Sequence, residues 1–165
     1  MMRIALLAGA VAVAVLAAVV VFGVRLTRDD EPQWSDQATA ACERALGRGR
    51  DLVVAGAAIR PVERQAVEVF AGAADIESDM LSELEALPRP SADGEEIERT
   101  LAIVADSNRE DRAVLVRLRR SFDRRVFERR VNETVPVLAD LRSRFTALGA
   151  TGCVRYYDPN SYAVG

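Results

Sequence analysis

The sequence predicts an all-α protein with an N-terminal transmembrane helix, followed by an antiparallel up-and-down four-helix bundle closed by one disulfide. Three observations lead to this fold class. An apolar run lies near the start of the chain, and four later segments repeat apolar residues at three- and four-residue spacing. One cysteine lies near the start of the first of these segments, and the other lies just after the last. Such spacing is typical of amphipathic helices, and no alternating strand pattern competes with it.

The transmembrane anchor is predicted over residues 1–24. Every residue from 4 to 24 is apolar or Gly, a run of 21, and such a helix spans roughly 31 Å, close to the hydrocarbon thickness of a bilayer. A cleaved signal peptide is the alternative, but its apolar core is usually only about 7–15 residues long, and the required small-residue cleavage site is poorly matched. Residues 25–33 are polar and are predicted to form a stalk.

The four-helix bundle is predicted over residues 34–153, with a C-terminal tail at 154–165 that packs across the mouth of the bundle. Trp34 is expected in the core. The helical segments cover about 35–59, 61–87, 97–122 and 127–148, and Pro or Gly residues lie at most of the breaks between them. Long helices joined by short turns favour neighbours that run antiparallel.

Two of the four segments carry polar residues or a proline that bear on the packing. The fourth has the most regular apolar stripe, which is predicted to face the core: Phe127, Val131, Val135, Leu138, Leu141, Phe145 and Leu148. Pro136 is expected to kink this helix or to leave a carbonyl unpaired. In the third segment, Asn108 and Asp111 occupy core positions within 106–112. A continuous or bent helix is favoured there, and the alternatives are a break at Ser107 or a polar notch that faces a ligand.

The two cysteines, Cys42 and Cys153, predict a disulfide. Cys42 lies near the start of the first segment and Cys153 just after the last, and an up-and-down bundle brings those positions to the same end. Two unrelated buried thiols are the alternative. A disulfide indicates an oxidising compartment, and therefore a soluble domain outside the cell membrane. The flanking positive charges, Arg3 before the anchor against Arg25 and Arg28 after it, weakly favour the opposite orientation.

The composition argues against an enzyme and against cofactors. The chain has no His and only two Cys, so imidazole-based catalysis and His- or Cys-ligated metal sites are not expected. No glycine-rich phosphate loop occurs. The formal net charge of −3 gives no reason to expect nucleic acid as a partner.

The charged residues are predicted to separate along the bundle. Arginines gather near the turns after the first and third segments, and the candidate residues for an anionic partner are Arg48, Arg60, Arg64, Arg120, Arg124, Arg125, Arg129 and Arg130. Acids gather at the opposite, membrane-near end: Glu77, Asp79, Glu83, Glu85, Asp93, Glu95, Glu96 and Glu98. Helix capping and solubilising i,i+4 pairs explain part of this pattern. The functional interpretation is a basic tip that binds an anionic envelope component or an acidic protein.

The closing motif Leu148-Gly149-Ala150-Thr151-Gly152-Cys153, together with the early Cys42 and the Pro-broken helices, resembles small membrane-anchored cell-envelope helical proteins of GC-rich Gram-positive bacteria. The resemblance covers residues 34–153. It implies the architecture and no specific activity.

Two functional hypotheses follow from these patterns. The first is a non-enzymatic, membrane-tethered, extracytoplasmic interaction module of the bacterial cell envelope. The alternative is a ligand-binding, sensor-like bundle, which would need a partner membrane protein to carry a signal inward. The sequence does not indicate an oligomeric state.

Overall fold

The computed structural model describes residues 33–162, and that part of the chain is helical without any strand. Four long helices are present: α1 (Trp34–Gly56), α2 (Val62–Ala86), α3 (Gly94–Arg120) and α4 (Arg124–Ala147). A short helix, α5 (Thr151–Tyr156), and a 3-10 helix (Pro159–Tyr162) follow. The all-helical class and the four long helices are therefore confirmed, whereas α5 was not predicted.

The predicted anchor and nearly all of the predicted stalk lie outside the described residues. Among residues 33–162, no helix combines the length and the apolar character needed to cross a bilayer.

Local sequence explains where α4 begins and ends. Asp123 precedes the helix, and its side chain accepts hydrogen bonds from the backbone N–H groups of Arg125 (2.9 Å) and Val126 (3.3 Å), which otherwise lack partners in the first turn. Gly149 follows the helix with φ 73°, a left-handed conformation that favours glycine and reverses the chain. The chain therefore turns back over the bundle in time to start α5.

Consecutive long helices pack antiparallel, as cross-helix contacts show. Arg44 on α1 pairs with Glu83 on α2, and Arg48, one turn further along α1, pairs with Asp79, one turn earlier on α2. The α1–α2, α2–α3 and α3–α4 pairs are in contact in this order, but within the described part of the chain the α1 and α4 backbones do not meet. Instead, α5 lies against both of them. The bundle is thus closed between its first and last helices by a short element.

Most of the apolar core lies at one end of the domain, which we call the disulfide end. It comprises the start of α1, the end of α2, the start of α3, the end of α4, and α5. Cys42 and Cys153 form the predicted disulfide there, with a Cα–Cα distance of 4.9 Å and both residues fully buried. Core residues around it include Trp34, Met80, Leu84, Ile97, Leu101, Phe145 and Tyr157. The predictions of the disulfide and of a buried Trp34 are both confirmed.

The packing of α5 on α1 is so close that only glycine fits at one position. A Cβ placed on Gly152 would lie 2.2 Å from the carbonyl oxygen of Thr39, a distance at which one backbone would have to move. The backbone N–H of Gly152 also donates to Thr39 Oγ1 at 3.3 Å. Close approach at Gly152 therefore holds α5 against α1 beside the disulfide.

The structure also settles the two doubtful segments. Helix α3 runs without interruption through 106–112, and Asn108 and Asp111 are buried, so the expectation of a continuous helix is confirmed. Helix α4 continues through Pro136. The prediction that Val131 and Val135 face the core is wrong, because they are 45% and 59% exposed. Helix α1 does not approach α4 in the described part of the chain, so nothing from α1 covers that portion of the stripe.

Candidate functional site

The tip of the domain lies opposite the disulfide end and consists of the α1–α2 turn, the α3–α4 turn and the helix ends beside them. Five of the eight predicted arginines lie on this surface and are exposed: Arg60, Arg64, Arg120, Arg125 and Arg129. Arg60 donates to the carbonyl oxygens of Ala57 and Ile59. These five arginines share one exposed surface, and the binding of an anionic partner there stays a prediction.

The other three predicted arginines have different surroundings. Arg130 is only 4% exposed and forms ion pairs with Asp111 and Glu110, so its assignment to the partner-binding surface is wrong. Arg48 lies along α1 and pairs with Asp79 of α2. Arg124 does lie at the tip, but Glu128 one turn later neutralises it at 2.7 Å. Sequence position alone could not separate these three from the exposed group, because pairing depends on which helix faces point at each other.

Charge pairing differs between the tip and the rest of the domain. Most arginines elsewhere pair with acids: Arg44, Arg89, Arg99, Arg112, Arg144 and Arg155 each form an ion pair, whereas Arg50 and Arg142 have no acid within ion-pair distance among the described residues. Within the described residues, no acid lies within ion-pair distance of Arg64, Arg120, Arg125 or Arg129. The positive charge of the tip is therefore not neutralised by neighbouring side chains.

An apolar groove of about 380 Å³ adjoins these arginines. We call it the tip groove; it is lined by Val53 of α1, by Val62, Gln65, Ala66, Val69, Phe70 and Ala73 of α2, and by Phe127 and Val131 of α4. The Phe70 and Phe127 rings meet edge to face at a centroid distance of 5.8 Å. Val62 is 65% exposed. The groove lies between α1, α2 and α4, and no backbone contact between α1 and α4 closes it in the described part of the chain.

A second cavity, which we call the tyrosine cleft, opens between α2, α3, α4 and the C-terminal segment. Its volume is about 370 Å³. Its lining residues are Ala73, Ala74 and Glu77 of α2, Ser107 and Asp111 of α3, Thr134 and Leu138 of α4, and Tyr156, Tyr157, Pro159 and Tyr162 at the C terminus. Ala73 lines both this cleft and the tip groove, so the two cavities adjoin.

Glu77 is the central polar group of the tyrosine cleft. Its two carboxyl oxygens accept hydrogen bonds from Asn108 Nδ2 and from the Tyr157 hydroxyl, each at 3.2 Å. Both donors are neutral. Burial raises the pKa of Glu77 to about 7, with a smaller contribution from the charge of Asp111, while the two hydrogen bonds oppose the rise. Glu77 therefore changes its charge near neutral pH.

Arg130 reaches the other side of this region and is fully engaged there. Its Nε donates to Asp111 Oδ1 at 2.5 Å, and its Nη1 donates to Glu110 Oε2 at 2.6 Å. Its Nη2 donates to both the carbonyl and the hydroxyl oxygen of Ser107. Burial raises the pKa of Asp111 above its usual value even though the hydrogen bond and charge of Arg130 lower it. These contacts fix Asp111 at the edge of the cleft. The Arg130 donors are used by Asp111, Glu110 and Ser107, and none of them bonds to Glu77.

Three tyrosines form the C-terminal wall of the cleft. The ring of Tyr156 is perpendicular to that of Tyr157, with centroids 4.9 Å apart, and it meets the ring of Tyr162 at 71° and 6.3 Å. The Tyr162 hydroxyl donates to the backbone carbonyl of Tyr156 at 2.9 Å. Burial raises the pKa values of all three phenols, and the nearby charge of Glu77 adds to the rise. The hydroxyls therefore stay neutral, and the wall consists of three aromatic side chains.

Sequence patterns did not reveal the tyrosine cleft, although one indication was present. Glu77 was grouped with the acids of the opposite end, yet it lies three residues after Ala74 and three before Met80, on the buried face of α2. A lone acid in a helical apolar stripe is the indication that could have identified it. The contribution of Tyr156, Tyr157 and Tyr162 depends on α5, which the sequence did not predict.

Within the described residues, no group of three or more His, Cys, Asp or Glu side chains is placed to hold a metal ion. Comparisons with protein-family models, curated proteins and solved structures return no match to this chain. The site must therefore be interpreted from its own geometry.

Proposed function

We propose that this chain is a non-enzymatic, membrane-tethered interaction module of the bacterial cell envelope, whose tip binds an acidic protein segment that carries apolar side chains. The observation that carries the proposal is the exposed apolar stripe at the tip. The helical spacing of α4 predicts a core position for Val131, but Val131 lies exposed in the tip groove. Val135 continues the same exposed stripe on α4. Exposed apolar surface rimmed by charge is typical of protein–protein interaction sites.

The arginines of the tip define the charge of that partner. Arg64 follows Val62 closely on α2, and Arg125 and Arg129 flank Phe127 on α4. Because no acid of the described domain neutralises these three side chains, a partner with carboxylates would gain charge pairs without first breaking existing ones. A purely anionic polymer would satisfy the arginines but would leave the valines uncovered. The combination favours an acidic protein segment.

The tether and the location of the domain rest on two further supports. The apolar run over residues 4–24 is long enough to anchor the chain in a bilayer. The Cys42–Cys153 disulfide suits an oxidising compartment, outside the cytoplasmic membrane. Protease added to intact, wall-stripped cells should digest residues 34–162. Protection of the domain until the membrane is permeabilised would contradict the proposed location.

Photo-crosslinking in cells tests the tip. A photoreactive residue in place of Val131 should give protein adducts, and the same residue in place of the exposed Arg142, at the disulfide end, serves as the matched control. Adducts at position 131 should disappear in the Arg64→Glu/Arg125→Glu/Arg129→Glu variant, whose thermal midpoint should stay unchanged. Equal adducts at both positions, or adducts that survive the charge reversal, would contradict the proposal. An adduct mass consisting of polymer without protein would reject an acidic protein as the partner.

A second candidate function is supported by the tyrosine cleft. Its volume falls within the range of small-molecule sites, about 300–1,000 Å³, and its polar groups converge on an otherwise apolar wall. This favours the hypothesis of a ligand-binding, sensor-like bundle that acts through a partner membrane protein. A ligand in the cleft would contact α2, α4 and the C-terminal segment together, and the first two of these also form the tip groove.

A further inference from the structure

We propose that the tyrosine cleft binds an organic ammonium ion, with the carboxylate of Glu77 as its counter-charge and Tyr156, Tyr157 and Tyr162 as its aromatic wall. The inference rests on the second candidate function and names the class of ligand. It does not depend on the binding proposed for the tip groove, which adjoins the tyrosine cleft at Ala73.

The balance of charge in the cleft is the first argument. Two carboxylates, Glu77 and Asp111, belong to the lining, and no Arg does. Arg130 approaches from behind but its donors are occupied by Asp111, Glu110 and Ser107. Of the other nearby cations, Arg112 pairs with Asp75 and Arg48 with Asp79, and Arg50 donates its Nε–H to the backbone carbonyl of Ser161. Of the acids in the lining, only Glu77 has no positively charged side chain bonded to it.

The aromatic wall is the second argument. Aromatic faces attract cations through the negative potential of their π-systems, and an organic ammonium is the ligand class that such walls recognise. All three tyrosines line the cleft. The ring of Tyr156 is perpendicular to that of Tyr157 and steeply inclined to that of Tyr162, and one face of Tyr157 is stacked on Phe145. A hard metal ion would instead need several oxygen ligands, and the tyrosine hydroxyls are committed: Tyr157 donates to Glu77 and Tyr162 to the Tyr156 carbonyl.

The adjoining surfaces suit the organic part of such a ligand. Ala73 and Leu138 line the cleft beside Glu77, and from Ala73 the lining continues into the tip groove with Val69 and Phe70. A substituent on the nitrogen would therefore lie on apolar side chains without desolvating any charged group. The cleft fits a substituted ammonium better than a small, strongly hydrated inorganic cation.

Binding of a cation is expected to depend on pH. Glu77 must be ionised to serve as the counter-charge, and its pKa is about 7 in the unliganded protein. The groups that face it are Asn108 and Asp111 from α3, Arg130 from α4, and Tyr156, Tyr157 and Tyr162 from the C-terminal segment. The tyrosines stay neutral below pH 9. Affinity should therefore weaken about tenfold from pH 8 to pH 6 as a proton competes for Glu77.

Three probes of nearly identical shape test the proposal on the intact domain: choline, its neutral carbon analogue 3,3-dimethylbutan-1-ol, and the anion 3,3-dimethylbutanoate. In amide NMR titrations at pH 8, choline should shift the signals of residues around 77 and 156–162, and the other two should not. Glu77→Gln should abolish the shifts. The variant Glu68→Gln, an exposed acid on the same helix, is the matched control and should titrate like the parent.

Each other outcome would overturn the ammonium assignment. Binding of the neutral or anionic probe without choline would show a ligand cleft of different chemistry, so the second candidate function would survive while this inference failed. If choline causes no shifts at concentrations up to about 100 mM, which is far above a weak dissociation constant of about 1 mM, the cation site is rejected. The Glu77→Gln variant should fold, because glutamine resembles the protonated acid. If choline titrates this variant as it titrates the parent, the cation site is also rejected.

Discussion

The disulfide end and the tip are built from the same four helices, yet they differ in what lies between α1 and α4. At the disulfide end, α5 fills that space and is fixed by Cys153 and by the close approach of Gly152 to Thr39. At the tip no short helix of the described chain takes the equivalent place, and the buried cluster of Ala71, Ala74 and Leu115, with Val67 and Phe70 packed against it, is much smaller. The apolar core is therefore concentrated at one end, and apolar side chains such as Val62 and Val131 are left exposed at the other.

The disulfide should give the largest effect on stability. Replacing both cysteines, Cys42→Ala with Cys153→Ala, removes a crosslink between residues 111 apart in sequence, and the chain-entropy estimate for such a loop is about 4–5 kcal/mol. Urea unfolding followed by circular dichroism measures the loss. A loss below about 1 kcal/mol would mean that α5 is held by packing alone, which would remove the contrast between the two ends.

A buried ion pair between the two ends should give the next largest effect. Arg130→Met leaves Asp111, whose side chain is only 12% exposed, without its cation, and such a change costs about 3–5 kcal/mol. Arg130→Met combined with Asp111→Leu should recover most of that loss. Arg124→Gln at the tip breaks only an exposed pair with Glu128, and its thermal midpoint should match the parent. Equal losses for Arg130→Met and Arg124→Gln would contradict the burial of Arg130.

The pH dependence of stability should reveal the tyrosine cleft. The pKa of Glu77 is about 7 in the folded protein against 4.5 for the free group, so the folded state binds the proton more tightly. The stabilisation is fully present below pH 4.5 and is lost as the pH rises through 7. Between pH 5 and pH 8 the parent should lose about 2–3 kcal/mol more than Glu77→Gln, as measured by urea unfolding at both pH values. Parallel losses in the two proteins would place Glu77 in water.

The smallest effects come from a pair of glycine substitutions. Gly152→Ala puts a methyl group into the Thr39 backbone at the disulfide end and should cost about 1–3 kcal/mol. Gly47→Ala lies within α1, where an added Cβ meets no atom within 4 Å, and it should stabilise the domain by about 0.5–1 kcal/mol through lower backbone entropy in the unfolded chain. Differential scanning calorimetry can compare both with the parent. Opposite signs are the expected result.

The long helices and the disulfide could be predicted because they follow from spacing within each segment and from chain topology. Ala38, Cys42 and Ala45 repeat at helical intervals, and an up-and-down arrangement then brings Cys42 to Cys153. The same spacing assigned Val131 and Val135 to the core, and that prediction failed. Periodicity identifies an apolar face but not whether another helix covers it, and here α1 makes no backbone contact with α4 in the described part of the chain.

The charged sites were harder to predict for a related reason. Arg130 and Arg129 are neighbours in an arginine-rich run, yet one is buried against Asp111 and the other is exposed, because a step of one residue turns a helical side chain by about 100°. The tyrosine cleft depends on α5, a six-residue helix that is too short for a periodic pattern. Its position comes from the disulfide and from the Gly152 contact, which are long-range features.

The placement of the disulfide also governs what happens when the domain is cut. Every turn between the long helices lies between Cys42 and Cys153, so one peptide-bond cleavage in any exposed turn opens the chain without separating it into two molecules. A domain nicked at the α1–α2 turn would keep its C-terminal portion attached to whatever precedes residue 42. Covalent release of a fragment from such a nicked domain would require a reductant or a second cut in the chain.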